Sequence, residues 1–124
     1  MQGTAGVLLL LVTSMCLNAL ANFMIKIAVR GRNLVLTPAG FPETVKFLVG
    51  NPLIWTGIIL FALALFGYSI VLSRVNLSVA YPVMTGGGFF IVFVLSAFCL
   101  REVLTVTHIG GALLIILGIW LLLK

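Results

Sequence analysis

Residues 5–29 read AGVLLLLVTSMCLNALANFMIKIAV, and this stretch decides the fold class. It is one continuous apolar run, longer than the ~20 residues that a helix needs to cross a bilayer. Polar side chains inside a bilayer are costly unless they face protein, water or a ligand. Five polar residues nevertheless recur at every fourth position from the middle of this run, and we call them the polar stripe: Ser14, Asn18, Asn22, Lys26 and Arg30. The polar stripe is therefore the first place to look for a functional site.

The composition places the rest of the chain in lipid as well. Of 124 residues, 63% are hydrophobic and 7% charged, which is more apolar surface than a soluble domain of this length can bury. Four apolar runs stand out, at about 5–29, 53–73, 78–100 and 104–123. They are continuous rather than alternating, which favours helices over a barrel. We predict an all-α integral membrane protein, with four transmembrane helices in a single transmembrane domain covering residues 1–124.

The first connection, roughly 30–52, is polar and contains Pro38, Pro42 and Pro52. Its segment 42–49 suits a short helix lying on the membrane surface, with Pro42 in the first turn. An extended loop, or an early start of the next helix, is an open alternative.

The basic residues indicate an orientation. The net charge is +5, and the basic residues divide five against two: Lys26, Arg30, Arg32, Lys46 and Arg101 around the first and third connections, Arg74 and Lys124 on the other side. By the positive-inside rule, this split predicts a multi-pass inner (plasma) membrane protein with both termini outside the cytoplasm.

Motifs for chemistry are missing from the sequence. It contains no nucleotide-binding loop, no catalytic triad and no paired carboxylates, and its single His108 has no zinc-ligand pattern around it. We therefore expect no enzyme, no cofactor, no metal and no nucleic-acid partner.

The polar stripe has two interpretations along its length. Four-residue steps advance each side chain by ~40°, so the stripe spirals around its helix. Asn18 and Asn22, near mid-membrane, suit either a polar group crossing the membrane or hydrogen bonds between helices. Lys26 and Arg30, one turn apart, suit an anionic head group such as a lipid phosphate, whereas Lys26 alone also suits a snorkelling residue at the membrane boundary.

Glycines in the last two runs also have alternative interpretations. Gly86, Gly87 and Gly88 predict a hinge in the third membrane helix, and the alternative is a tight helix crossing. Gly111 and Gly118, seven residues apart, lie on nearly one helix face. They predict a dimer contact, and the alternative is a contact within the same four-helix unit.

Three segments together resemble the small multidrug resistance family of the drug/metabolite transporter superfamily. They are NALANFMIK at 18–26, LSVAYPVMTGGG at 77–88, and LREVL at 100–104 followed by IGGALLIILG at 109–118. The resemblance covers nearly the whole chain except the long first connection. It implies a four-helix protomer that works as a dimer, with the first three helices around a substrate chamber, the fourth as the dimer contact, and the glycine run as a hinge.

Two departures from the family matter for function. Proton-coupled members carry a glutamate where this chain has Asn18, and an amide neither titrates nor pairs with a cationic drug. The family's tryptophan three residues after the tyrosine is Met84 here, which removes a face for cation–π contact. The missing glutamate and the Ala80-Tyr81-Pro82 sequence are similar to the branch of aminoarabinose-phosphoundecaprenol flippase subunits, which implies a polyprenyl-phosphate-linked sugar as cargo.

We therefore predict a transporter that flips a polyprenyl-phosphate glycolipid or a similar anionic lipid. Its predicted partners are that membrane lipid and a second subunit, in a homodimer or a heterodimer with a related chain. The predicted substrate-binding residues are Asn18, Asn22, Lys26, Arg30, Tyr81 and Met84. Two alternatives stay open: an exporter of small cationic or neutral solutes, and a non-transporting accessory subunit of a membrane complex.

Overall fold

A computed structural model describes residues 2–124. Five α-helices follow one another along the chain: α1 Gln2–Val29, α2 Phe41–Gly50, α3 Pro52–Leu72, α4 Leu77–Leu95 and α5 Val106–Leu122. A π-helical turn, Ser96–Leu100, continues α4 at its carboxyl end. No strand occurs between residues 2 and 124. The predicted all-helical fold is confirmed for this part of the chain.

Three of the helices are long and apolar enough to cross a membrane. They cover 27 residues in α1, 21 in α3, and 24 in α4 together with the π-helical turn. The remaining apolar helix, α5, has 17 residues. These lengths and compositions fit a membrane-embedded helical protein, with three full-length candidate spans and one shorter apolar helix.

Local sequence explains where several helices begin and end. Pro42 and Pro52 stand in the first turns of α2 and α3, where a missing backbone N–H costs nothing. The side chain of Asn51 caps α3 by accepting a hydrogen bond from the Leu53 N–H at 2.9 Å. The Thr105 hydroxyl accepts from the His108 N–H to cap α5. The helix α2 forms over the segment in which a short helix at 42–49 is predicted.

The α1 helix is the centre of the bundle and packs against α3 and α4. It runs antiparallel to α3, because Ile25 faces Gly57 and Ser14 faces Gly67. It runs parallel to α4, because Met15 and Asn18 face Gly87 and Gly88 while Arg30 reaches Leu100. The main buried cluster draws on all three helices: Leu11, Tyr68, Val71, Ala80 and Met84.

The α5 helix packs chiefly against α4 and leaves most of its surface open. Ala112 is its only buried residue. Gly86 of α4 lies directly against Ile119 of α5, so that a β-carbon on Gly86 would overlap the isoleucine side chain. Most large apolar side chains of α5 point away from the bundle, as expected for a helix that faces lipid or another subunit.

Candidate functional site

The buried end of the polar stripe is a packing contact. Ser14 is 1% exposed, and its hydroxyl donates to the Leu10 carbonyl oxygen at 2.8 Å. A β-carbon on Gly67 of α3 would lie 2.5 Å from the Ser14 Oγ. The hydroxyl is therefore satisfied within its own helix and enclosed by α3, which leaves it no part in binding.

The two asparagines occupy the middle of the stripe, at the surface where α1 meets α4. The Asn22 side-chain amide donates to the Asn18 backbone carbonyl at 2.9 Å. Asn18 is half-buried, and its Nδ2 would lie 3.5 Å from a β-carbon on Gly88, an ordinary van der Waals distance. The Asn18 side chain forms no hydrogen bond with any part of the chain between residues 2 and 124. Its amide is therefore available to a partner or a polar ligand.

Lys26 has an acidic partner that the sequence pattern does not predict. Its Nζ lies 3.2 Å from Oε1 of Glu102, in the connection between α4 and α5. Both side chains stay open to their surroundings, with 53% of Lys26 and 44% of Glu102 exposed. An exposed pair of this kind contributes little to stability, and other ions can reach either partner.

Arg30 directly follows the last residue of α1, four residues after Lys26, and contacts the same region. Its guanidinium donates to the Leu100 backbone carbonyl at 3.2 Å. This carbonyl belongs to Leu100, the last residue of the π-helical turn. Carbonyl groups at the end of a helix have no donor within the helix, so they can accept a hydrogen bond from a side chain. Arg30 therefore fastens the end of α1 to the end of α4 and still presents an exposed cation.

The Glu102 carboxylate is held in place by Ser96 as well as by Lys26. The Ser96 hydroxyl donates to Glu102 Oε2, and the Ser96 backbone carbonyl accepts from the Glu102 N–H at 3.2 Å. Hydrogen bonding from Ser96, followed by that from Lys26, holds the pKa of Glu102 below its usual range. Between these residues Arg101 adopts a left-handed conformation (φ 53°), which turns the chain sharply out of the helix. The carboxylate is consequently ionised at neutral pH and directed at α1.

The predicted site residues on α4 separate into buried and exposed positions. Met84 is 8% exposed and packs in the cluster that contains Leu11. Tyr81 is 58% exposed and lies beside Leu77, Ser78 and Pro82, about two turns before the glycine that faces Asn18. The structure thus places Asn18, Lys26 and Arg30 next to α4 or the segment that follows it, and Tyr81 lies exposed about two turns before the glycine beside Asn18.

The glycine run of α4 faces two helices at once. Gly86 lies against Ile119 of α5, Gly87 against Met15 of α1, and Gly88 near Asn18. The α-helix continues through all three positions, and its geometry changes only at Ser96. Close helix packing therefore accounts for these glycines in the structure, and the hinge stays a prediction.

The glycine face of α5 is unoccupied within the chain. A β-carbon on Gly111 or Gly118 would meet no atom within 4 Å among the described residues. An intramolecular contact does not explain these two glycines. Their role in a dimer stays a prediction.

A cleft of about 430 Å³ opens between the carboxyl end of α4 and the start of α5. Its walls are mainly apolar and include Phe89, Phe93 and Ile115. Glu102 and His108 stand among its few polar residues. The Lys26–Glu102 pair therefore lies at the border between the polar stripe and an apolar cleft.

Sequence reasoning missed Glu102 and Ser96. One signal was available, since Glu102 is one of only two acidic residues in the chain and stands beside the predicted end of a membrane helix. Its contact with Lys26 depends on α1 and α4 being parallel neighbours, which the sequence pattern does not state.

Comparison with protein-family models, with curated proteins and with solved structures finds no match.

Proposed function

We propose that this chain is a transporter of the small multidrug resistance type that moves a phosphate-bearing, lipid-linked sugar across the bacterial inner membrane. In this proposal all four long helices cross the membrane. The shortest, α5, rises about 26 Å over its 17 residues, close to the ~30 Å of a hydrocarbon core. The protomer works as a dimer, as the resemblance to that family implies.

The observation that carries the proposal is the pair of cations at the end of the polar stripe. Lys26 lies in the last turn of α1 and Arg30 directly follows the helix, four residues further on, and both are exposed. Lys26 and Arg30 carry two positive charges against the single negative charge of Glu102, and Arg101, directly before Glu102 in the chain, adds a third, so positive charge is in excess here. A phosphate accepts hydrogen bonds from ammonium and guanidinium groups at once, and such charge-assisted bonds are stronger than neutral ones.

The neutral part of the stripe suits the sugar. Asn18 and Asn22 continue from the two cations toward mid-membrane, and the Asn18 amide has no partner between residues 2 and 124. An amide offers donors and an acceptor to sugar hydroxyls without introducing a charge into the bilayer. A carboxylate at the same depth would repel a phosphate, so the amide favours an anionic cargo over a cationic one.

A transport assay tests this function directly. The purified chain is reconstituted into liposomes, and the movement of a fluorescent polyprenyl-phosphate sugar between leaflets is followed. We expect Lys26→Ala to slow translocation roughly tenfold or more, because a hydrogen bond to a charged group contributes about 1.5–3 kcal/mol. Lys46→Ala on α2 removes the same charge away from the stripe and should transport normally. Full activity of a folded Lys26→Ala variant contradicts the proposal. If the chain is active only with a second subunit, Lys26→Ala should still slow that pair when the chain is half of a heterodimer, and should leave it unchanged when the chain is an accessory subunit.

One observation favours a second function, the export of small cationic or neutral solutes. The α4–α5 cleft combines the Glu102 carboxylate with the Phe89 and Phe93 rings, whose centroids are 5.7 Å apart. A carboxylate beside aromatic faces is a suitable environment for a lipophilic cation. A membrane current on addition of a quaternary ammonium compound, lost in Glu102→Gln, would support this function over lipid transport.

A further inference from the structure

Glu102 is positioned as an internal competitor for the cation that would bind phosphate. Its Oε1 lies 3.2 Å from Lys26 Nζ, while its Oε2 accepts from the Ser96 hydroxyl. The two carboxylate oxygens therefore have separate partners, one on α1 and one at the end of α4. Ser96 holds the carboxylate toward Lys26 in a position that an anionic ligand would have to take over.

Because Lys26 and Glu102 are both exposed, an anionic ligand can replace the Glu102 carboxylate at Lys26. Lys26 is 53% exposed and Glu102 44% exposed, so an incoming anion reaches the ammonium group without opening the protein core. The guanidinium of Arg30 is anchored on the Leu100 carbonyl and remains beside the pair when the carboxylate leaves. A phosphate at Lys26 would thus lie near a second cation, which acts on Glu102 through its charge but forms no direct ion pair with it among the described residues.

We propose that Glu102 sets the affinity of the polar stripe for anionic head groups by occupying Lys26 when no ligand is bound, an inference that rests on the proposed function. Binding of a phosphate at Lys26 displaces Oε1 of Glu102, and the carboxylate keeps its hydrogen bond to Ser96. The displaced charge stays near the ligand and opposes it. Glu102 therefore lowers affinity, and it lets a bound head group leave again.

Equilibrium binding of a polyprenyl phosphate to the full chain in phosphatidylcholine nanodiscs tests this inference. Glu102→Gln keeps the shape of the side chain and removes its charge. We expect it to tighten binding about two- to fivefold, the range that loss of an exposed ion pair allows. Binding of the matching uncharged polyprenyl alcohol should not change.

Two further variants test whether Glu102 acts on binding through its contact with Lys26 or only through the net charge of the protein. Glu43→Gln on α2 removes the chain's other acidic side chain and should bind the phosphate as the parent chain does. In a Lys26→Gln background, Glu102→Gln should bring a smaller gain than in the parent chain, because only the repulsion between Glu102 and the phosphate is left to remove. If Glu43→Gln brings an equal gain, or if the gain from Glu102→Gln is as large without Lys26 as with it, the effect is one of net charge and the inference is overturned.

The inference and the function on which it rests fail in different ways. If Glu102→Gln binds no more tightly than the parent while Lys26→Gln still weakens binding, the competitor role is wrong and the phosphate site stands. If neither Lys26→Gln nor Arg30→Gln weakens binding, the phosphate site itself is wrong, and the role of Glu102 falls with it.

Discussion

Lys26 of α1 and Glu102 of the α4–α5 connection form an ion pair at 3.2 Å, which joins the end of α1 to the segment that follows α4. Ser96 supports the same carboxylate, and hydrogen bonding from Ser96 is the largest cause of the lowered pKa of Glu102. A lowered carboxyl pKa stabilises the fold above the unfolded-state pKa, and this stabilisation is lost as the pH falls through the folded-state pKa. The pair should therefore be intact at neutral pH and should open only in acid.

Titration of the Glu102 carboxyl carbon by NMR measures this pKa. We expect a pKa below the ordinary value of 4.5, and Ser96→Ala should raise it toward that value by removing the hydroxyl donor. Lys26→Gln should also raise the pKa, because it removes both a hydrogen bond and a positive charge. The Glu43→Gln variant assigns the resonance. A Glu102 pKa that stays unchanged in both the Ser96 and the Lys26 variants would contradict this geometry.

The crossing of α1 and α3 should be sensitive to one added methyl group. A β-carbon on Gly57 would lie 2.6 Å from Ile25 Cγ1 and 3.2 Å from the Ala21 backbone carbonyl oxygen. Because the backbone oxygen cannot rotate away, we expect Gly57→Ala to lower the unfolding free energy by about 1–3 kcal/mol. Thermal unfolding in mild detergent measures this. Gly6→Ala on α1, where a β-carbon meets nothing within 4 Å, is the control and should not destabilise the protein.

The open glycine face of α5 predicts where two copies or two related subunits meet. Gly118→Leu should weaken association in detergent at least severalfold, because a bulky side chain prevents the close approach that small residues allow. Crosslinking or energy transfer between labelled chains measures association. Leu113→Ile, an exposed apolar exchange on the opposite face of the same helix, is the control. If folded Gly118→Leu associates as strongly as the parent chain, these glycines do not lie in the interface.

The charge distribution predicts an orientation that chemical labelling can test. With Cys16 and Cys99 replaced by Ser, a cysteine at Thr37 should react with a membrane-impermeant maleimide only after permeabilisation. A cysteine at Lys124 should react in intact cells, since the five-to-two split of basic residues places the first connection in the cytoplasm. Labelling at both positions in intact cells would indicate a mixed orientation.

The helices were predictable from the sequence because each apolar run is continuous and is followed directly by a basic residue. The faces that pack were not predictable. Lipid is as apolar as the interior of a helix bundle, so residues that contact a neighbouring helix resemble those that contact lipid. Gly57 and Gly67, which bring α3 onto α1, therefore carried no signal that set them apart.

The candidate site was predictable only along α1. The four-residue spacing identifies the polar stripe, because it depends on one helix alone. The contact with Glu102 requires the parallel arrangement of α1 and α4 and the left-handed turn at Arg101, which are properties of the folded chain. For the same reason, the sequence does not state how far Tyr81 lies from the stripe; it is exposed about two turns before Gly88, and its role in binding stays a prediction.

Native mass spectrometry of the chain, extracted from its membrane in mild detergent, tests the central claim most directly. We expect a polyprenyl-phosphate lipid to co-purify above its abundance in the membrane, and to be lost from a Lys26→Gln/Arg30→Gln double variant that remains folded. Lys46→Gln should retain the lipid. Bound lipids that match the bulk membrane composition, or that stay bound when both cations are removed, would contradict an anionic-lipid site at the end of the polar stripe.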